Sequence, residues 1–403
     1  MRGILFAGAV PGLVLLAAVS AFAADESPVF QRVKIDDVFR SEGVTAADVN
    51  KDGRMDVVTG EVWYEAPDWK MHEIRKPGTY NGETGYSNSF ANWTYDVNGD
   101  GWPDLISVGF PGAPFHWFEN PQNKEGHWKQ REIWHSACNE TPQFLDVTGD
   151  GRPEVVVGSQ PEGQVGYLLL PAPDKLEERW AFVPVSIEKS IGSDRFYHGL
   201  GVGDVNHDGR ADIVIPHGWW EHPEQLEHGP WTFHPLSLNQ EGKGNSVAAA
   251  DIYVDDLDLD GDNDLMLSSA HQVGVWWFEN VGTNAEPRFE YRLIFDKCSQ
   301  THAMNYADMN GDGIKDLVTG KRFWAHGPRG DVDAGGEVAV YWFEIRKTKN
   351  SPPQFTPHKI EASFDTGIGT QFLVADFDGD KRNDIILSNK KGTNLLLQRP
   401  PAK

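Results

Sequence analysis

A nine-residue pattern, Asp-x-Asn/Asp-x-Asp-Gly-x-x-Asp followed by an apolar run, recurs seven times along this chain and limits what it can fold into. The copies are DVNKDGRMD (48–56), DVNGDGWPD (96–104), DVTGDGRPE (146–154), DVNHDGRAD (204–212), DLDLDGDND (256–264), DMNGDGIKD (308–316) and DFDGDKRND (376–384). Oxygen-bearing side chains at positions 1, 3, 5 and 9, with a backbone carbonyl near position 7, suit the six to eight oxygen ligands that Ca²⁺ takes, and Gly at position 6 allows the sharp turn. The candidate ligands are Asp48, Asn50, Asp52 and Asp56; Asp96, Asn98, Asp100 and Asp104; Asp146, Asp150 and Glu154; Asp204, Asn206, Asp208 and Asp212; Asp256, Asp258, Asp260 and Asp264; Asp308, Asn310, Asp312 and Asp316; and Asp376, Asp378, Asp380 and Asp384. The third loop, with Thr148 and Glu154, and the seventh, with Lys381 in place of Gly, depart most from the pattern. Asp/Asn/Gly hairpin turns without metal are the duller reading of all seven.

Each loop joins strands rather than helices. A short alternating run such as LGVGD precedes it, and a buried-strand run such as VVTG or LMLSS follows. A third, aromatic strand comes next (VWYEAP, FHWFENP, YLLLPAP, GWWEHP, VWWFENVG, VYWFEI), and then a fourth (WKMHEIR, WKQREIW, WAFVPVSI, WTFHPLSL, RFEYRLIF, FTPHKIEA). Four strands per unit predict an all-β, seven-bladed β-propeller with a calcium loop between the first and second strand of each blade. The last unit stops at its third strand, TNLLLQ, and VFQRVKIDDV (29–38) matches the missing fourth, so the N-terminal strand is expected to close the ring. Residues 24–403 then form one domain. The 42 Gly and 15 Trp in 403 residues agree with a turn-rich β protein.

These loops, with their W-[FW]-E-N strands, resemble the FG-GAP or VCBS repeats of integrin-type and bacterial secreted propellers. That resemblance implies fold and calcium; such propellers serve as adhesins, lectins, lyases and scaffolds, so it leaves function open.

Arg2, the apolar run from Ile4 to Val19 and Ala21-Phe22-Ala23 before Ala24-Asp25 read as a secretory signal peptide over residues 1–23. No later stretch reaches the ~18 apolar residues of a membrane span, so the mature protein is expected in a periplasm or outside the cell. A net charge of −24 argues against nucleic acid and anionic lipid as partners. Cys138 and Cys298 are the only cysteines, in blades expected nearly opposite each other, which favours free thiols over a disulfide.

Register converts sequence into position. If the calcium loops mark one face of the disc, the start of each first strand and each turn between second and third strands lie on the other, here the top. Six residues before each loop stand Glu42, Phe90, Glu140, His198, Ala250, His302 and Thr370, an expected ring at the mouth of the central channel. Thirteen residues after each loop's first Asp stand Glu61, Gly109, Ser159, His217, Ser269, Lys321 and Asn389, with His271 and Arg322 close by. Any one strand-end His reads as a solvated residue. Three from consecutive blades, His198, His271 and His302, point to a shared site for Zn²⁺ or a similar divalent ion. His217 or Lys321 is the expected general base, with Arg322 beside it. The Trp residues of the third strands (Trp219, Trp220, Trp276, Trp277, Trp342) read as packing between blades, with stacking on sugars for any that face outward.

The segments YHGLGVGD, SSAHQVGVWWFE and SQTHAMNYADMNGDGIKDLVTGKRFWAHGP are similar to the propeller domain of aldos-2-ulose dehydratase and related exported bacterial proteins. The resemblance implies a divalent metal that assists loss of water from a keto-sugar, alongside structural metals. The fungal enzyme's cupin domains have no counterpart here, so no isomerase activity is implied. Two other readings stand beside this one: a non-catalytic lectin or adhesion propeller that binds carbohydrate or protein on the same face, and a polysaccharide lyase.

Overall fold

The computed structural model describes residues 28–226, 229–238 and 248–400; the proposed signal peptide lies outside them. Among the described residues, every regular element apart from one 3₁₀ turn at Glu361–Ser363 is a β-strand. The strands pair as antiparallel meanders in chain order, in five separate four-stranded sheets and one of eight strands.

Seven separate blades are therefore not what is found. The segments expected as the fourth and fifth blades merge, because Leu200–Gly203 pairs in parallel with Ala249–Asp255 through Leu200↔Asp251 and Gly201↔Ile252. Two glycines permit this approach. A Cβ on Gly201 would lie 2.2 Å from the Ile252 carbonyl oxygen, and one on Gly203 would lie 2.7 Å from Val254 Cβ. Any side chain there would hold the two inner strands apart.

The N-terminal strand Val29–Asp36 pairs antiparallel with the last strand Gly392–Arg399, from Val29↔Arg399 to Asp36↔Thr393. Phe30, Val33 and Ile35 on it pack against a cluster that includes Leu395 and Leu396. Core packing is shared between successive sheets: Val156 and Tyr167 of one meet Ile213 and Trp220 of the next. The third-strand residues Trp219, Trp220, Trp276, Trp277 and Trp342 are all buried, which leaves none of them free to stack on a sugar. Cys138 and Cys298 are buried, unlinked thiols.

The position-9 carboxylates act as staples. Both oxygens of Asp56 accept backbone N–H groups, from Val49 within its loop at 3.0 Å and from Ala66 after the third strand at 2.9 Å. Asp104, Asp212, Asp264, Asp316 and Asp384 repeat the arrangement. The position-1 carboxylate holds the turn itself, as where Asp48 accepts from Asp52 and Gly53 N–H, both at 2.9 Å. In these six loops the position-9 bonds tie the start of strand two to the end of strand three.

Candidate functional site

The stretch Arg195–His198 runs beside Cys138–Glu140. Phe196 N–H donates to the Cys138 carbonyl at 3.0 Å and Glu140 N–H to the Tyr197 carbonyl at 3.1 Å. This places the His198 ring next to the Glu140 carboxylate. His271 reaches the same point from the turn after Asp264–Ser269, and His302 from just before Met304–Ala307. One ligand-capable atom from each of His198, His271 and His302 lies within 4.8 Å of the others. The Nε2 atoms of His271 and His198 are 2.9 Å apart, and the ring centroids of His198 and His302 are 5.3 Å apart.

Acidic and basic groups surround the imidazoles. His302 Nε2 lies 3.0 Å from Glu140 Oε2, and His198 Nε2 lies 3.6 Å from the same oxygen. Arg322 donates to Glu42 Oε1 at 3.0 Å and lies 3.8 Å from Glu140, while Lys390 Nζ is 3.8 Å from Glu42. On the far side Asp331 accepts from His326 Nδ1 at 2.9 Å and lies 3.4 Å from His271 Nδ1, near enough for charge but without hydrogen-bond alignment.

Burial drives the electrostatics. Burial, reinforced by the Arg322 charge, pushes the His302 imidazole down to about 3. Burial lowers His271 as well. It would raise the Glu140 carboxyl, but contacts with His198 and His302 outweigh it and hold Glu140 well below the usual carboxylate range. Burial also raises Glu42 against the pull of Arg322 and Lys390, and takes Lys390 down to about 8. The result is neutral His302 and His271 rings beside an ionised Glu140.

The residues fit a divalent cation. A neutral His302 that donates Nε2–H to Glu140 keeps its Nδ1 lone pair, and that atom is buried with no hydrogen-bond partner. A carboxylate that orients a ligating imidazole in this way is the usual outer support of a zinc-type site. His198, His271 and His302 would hold the ion.

The expected bases are placed differently. Lys321 is buried, and its ammonium is bound to the Asp333 carboxylate at 2.7 Å and to the Asp333 carbonyl, so it serves as an anchor for the 331–338 segment. His217 bonds the Tyr197 hydroxyl, one residue from His198 rather than within the imidazole cluster. Arg322 does join the site. Glu42 and Glu140 were legible as ring positions; His326 and Asp331 come from the long turn between Asp316–Gly320 and Val340–Thr348, whose course register does not predict, and Lys390 follows the register position Asn389 in a two-residue turn.

In the loops, acidic side chains converge at Asp146, Asp150 and Glu154, at Asp256, Asp258 and Asp260, and at Asp376, Asp378 and Asp384. Two of these three are the loops that depart most from the pattern, so the substitutions Glu154 and Lys381 do not open the acidic cup.

Together the meandering sheets and the loops define a β-propeller. A family model, the FG-GAP-like repeat, matches residues 96–157, 146–215 and 256–319. No curated protein matches the chain by sequence. Among solved structures, a chain of the BBS1N complex with ARL6DN is similar over 94% of this chain and 99% of its own, with 11% identity and a TM-score of 0.50, which speaks for the fold alone. An Agrocybe aegerita lectin that recognises non-reducing terminal N-acetylglucosamine aligns over 93% of this chain and 86% of its own, at 18% identity and a TM-score of 0.45. The exotype rhamnogalacturonan lyase YesX aligns over 88% and 71%, at 12% identity and a TM-score of 0.44. No helix among the described residues is long and apolar enough to cross a membrane.

Proposed function

We propose that this is an exported, calcium-stabilised propeller acting on carbohydrate, a metal-dependent lyase or dehydratase of keto-sugars whose reacting site is the cluster at the channel mouth. We read the eight-stranded sheet as two blades joined at their inner strands, which makes seven units around that channel.

The observation that carries the reading is the convergence of His198, His271 and His302 with Glu140 and Arg322. Loss of water next to a ketone requires a base for the carbon-bound proton and positive charge for the oxygen that becomes negative. A divalent ion on the three imidazoles would supply Lewis acidity. Arg322 adds a fixed positive charge from the wall of the site, held by Glu42. Glu140 orients His302, and burial beside the Arg322 charge keeps that imidazole neutral. Lys321 is committed to Asp333, so the Tyr197–His217 pair beside His198 is the better candidate for proton transfer. Burial lowers His217, which keeps it in the basic, unprotonated form.

The test is a direct assay. Mature protein reconstituted with Zn²⁺ or Mn²⁺ is incubated with keto-sugars and with uronate polymers, and the ultraviolet absorption of the unsaturated product is followed. Activity on keto-sugars that disappears in His302→Ala and falls about 10²-fold or more in His217→Ala supports the reading. Activity only on uronate polymers favours a polysaccharide lyase, and binding without turnover favours a lectin.

A further inference from the structure

One cleft on the top face plays no part in the chemistry above. It has a volume of about 480 Å³ and is lined by Phe323, Trp324, Glu337, Phe364 and Asp365, together with backbone at 334–336. Phe364 is 58% exposed, an unusual setting for a bare aromatic ring. The Phe364 backbone is tied to the N-terminal strand, its carbonyl accepting from Arg32 at 3.2 Å. The Trp324 indole is pinned by its Nε1–H to the Ala334 carbonyl at 3.1 Å. Lys391 Nζ stands 5.2 Å from the Phe323 ring centre and 5.0 Å from that of Trp324.

The cleft adjoins the imidazole cluster through two connections. Phe323 and Trp324 directly follow Arg322, whose guanidinium reaches Glu42 and Glu140. The 331–338 segment is a shared wall: Asp331 faces His271 and His326 on one side, and residues 334–338 line the cleft on the other. Lys321 anchors this wall through Asp333.

We propose that the cleft is a subsite for a neutral pyranose, the unit next to the one that reacts, so that the substrate is an oligosaccharide and not a lone sugar. The held Trp324 indole and the exposed Phe364 ring suit the C–H face of a sugar ring, while the Asp365 and Glu337 carboxylates accept its hydroxyls and Lys391 donates. Glu337 is paired with Lys359, so repulsion of a uronate falls to Asp365 and to the chain's net charge of −24. The proposal rests on the carbohydrate reading of the neighbouring cluster, but binding in the cleft needs no metal and no turnover.

An array of defined neutral and acidic oligosaccharides, each printed beside its monosaccharide, tests this with the mature protein. The expected result is retention of a neutral oligosaccharide at least about ten-fold tighter than its monosaccharide, lost by about ten-fold in both Trp324→Ala and Phe364→Ala. Phe364 is exposed enough for its variant to fold even if Trp324→Ala does not. Retention of acidic oligosaccharides alone, of no oligosaccharide, or binding that neither substitution changes, overturns the subsite. His302→Ala separates the two claims: it is expected to keep this binding while losing turnover. A wild-type protein that binds through the cleft yet never turns over would sink the reaction and leave the subsite standing.

Discussion

The Nε2 atoms of His198 and His271 lie 2.9 Å apart although 73 residues separate them in the chain. Two imidazole nitrogens at that distance share one proton or face one cation. On the His198 side the backbone is held by pairing between Cys138–Glu140 and Phe196–Tyr197, and on the His271 side by the Gln300 N–H donating to the Gln272 carbonyl at 2.9 Å.

Calcium should be a large part of stability. With a Kd on the order of 10⁻⁴ M per loop and about 1 mM free calcium, each occupied loop contributes roughly 1.4 kcal/mol by mass action. Exhaustive chelation is expected to lower the Tm by many degrees; an unchanged melt would remove calcium from the account.

The chelated protein should also melt lower as pH rises. Burial lifts the position-9 carboxyls, to about 6 for Asp56, Asp316 and Asp384 and to about 7 for Asp104, Asp212, Asp264 and Glu154. A raised acid binds its proton more tightly when folded, so stability is lost as pH climbs from the unfolded value near 4 through 6 to 7. Melts of the chelated protein between pH 4 and 8 check the sign, and calcium should flatten the dependence. A Tm that rises with pH in chelator contradicts the burial argument.

Gly201→Val should separate the two merged units. A Cβ placed 2.2 Å from the Ile252 carbonyl must push the strands apart, at a cost of about 1–3 kcal/mol or more. Thermal melts measure it, and a variant as stable as wild type would mean that the parallel pairing is dispensable.

Much of this was readable before any coordinates. The loop pattern gave strand order, and the orphan strand at Val29–Asp36 found its partner at Gly392–Arg399. The merger of two units was not readable, because Gly201 and Gly203 look like ordinary strand residues until the neighbouring strand is placed against them. At the site, register brought out His198 and His302 because strand starts are regular, and His271 because it lies two residues beyond the turn position Ser269. It misjudged Lys321 because the 321–339 turn is long, and only its folded course shows that Asp333 captures the ammonium.

Lys321→Met is therefore expected to lower stability by about 1–3 kcal/mol by losing a charged, buried hydrogen bond, and to loosen the 331–338 wall. Metal content should stay as in wild type. An unchanged Tm with turnover abolished would restore Lys321 as the base.

Removing residues 29–36 should cost at least the packing of Phe30, Val33 and Ile35, roughly 1 kcal/mol each for half-buried side chains. It would also expose the edge of Gly392–Arg399 to pairing between molecules. Light scattering of the truncated protein is expected to show aggregation, and a monodisperse sample with the wild-type Tm argues against the closure.

Metal analysis by mass spectrometry after loading with Zn²⁺ and gel filtration tests the central claim most directly. The wild-type chain should retain one transition-metal ion beyond calcium, while His302→Ala and His271→Ala retain none and keep their calcium and their fold. A wild-type chain that retains no such ion, or variants that hold it as well as wild type, would mean that the three imidazoles meet without forming a metal site.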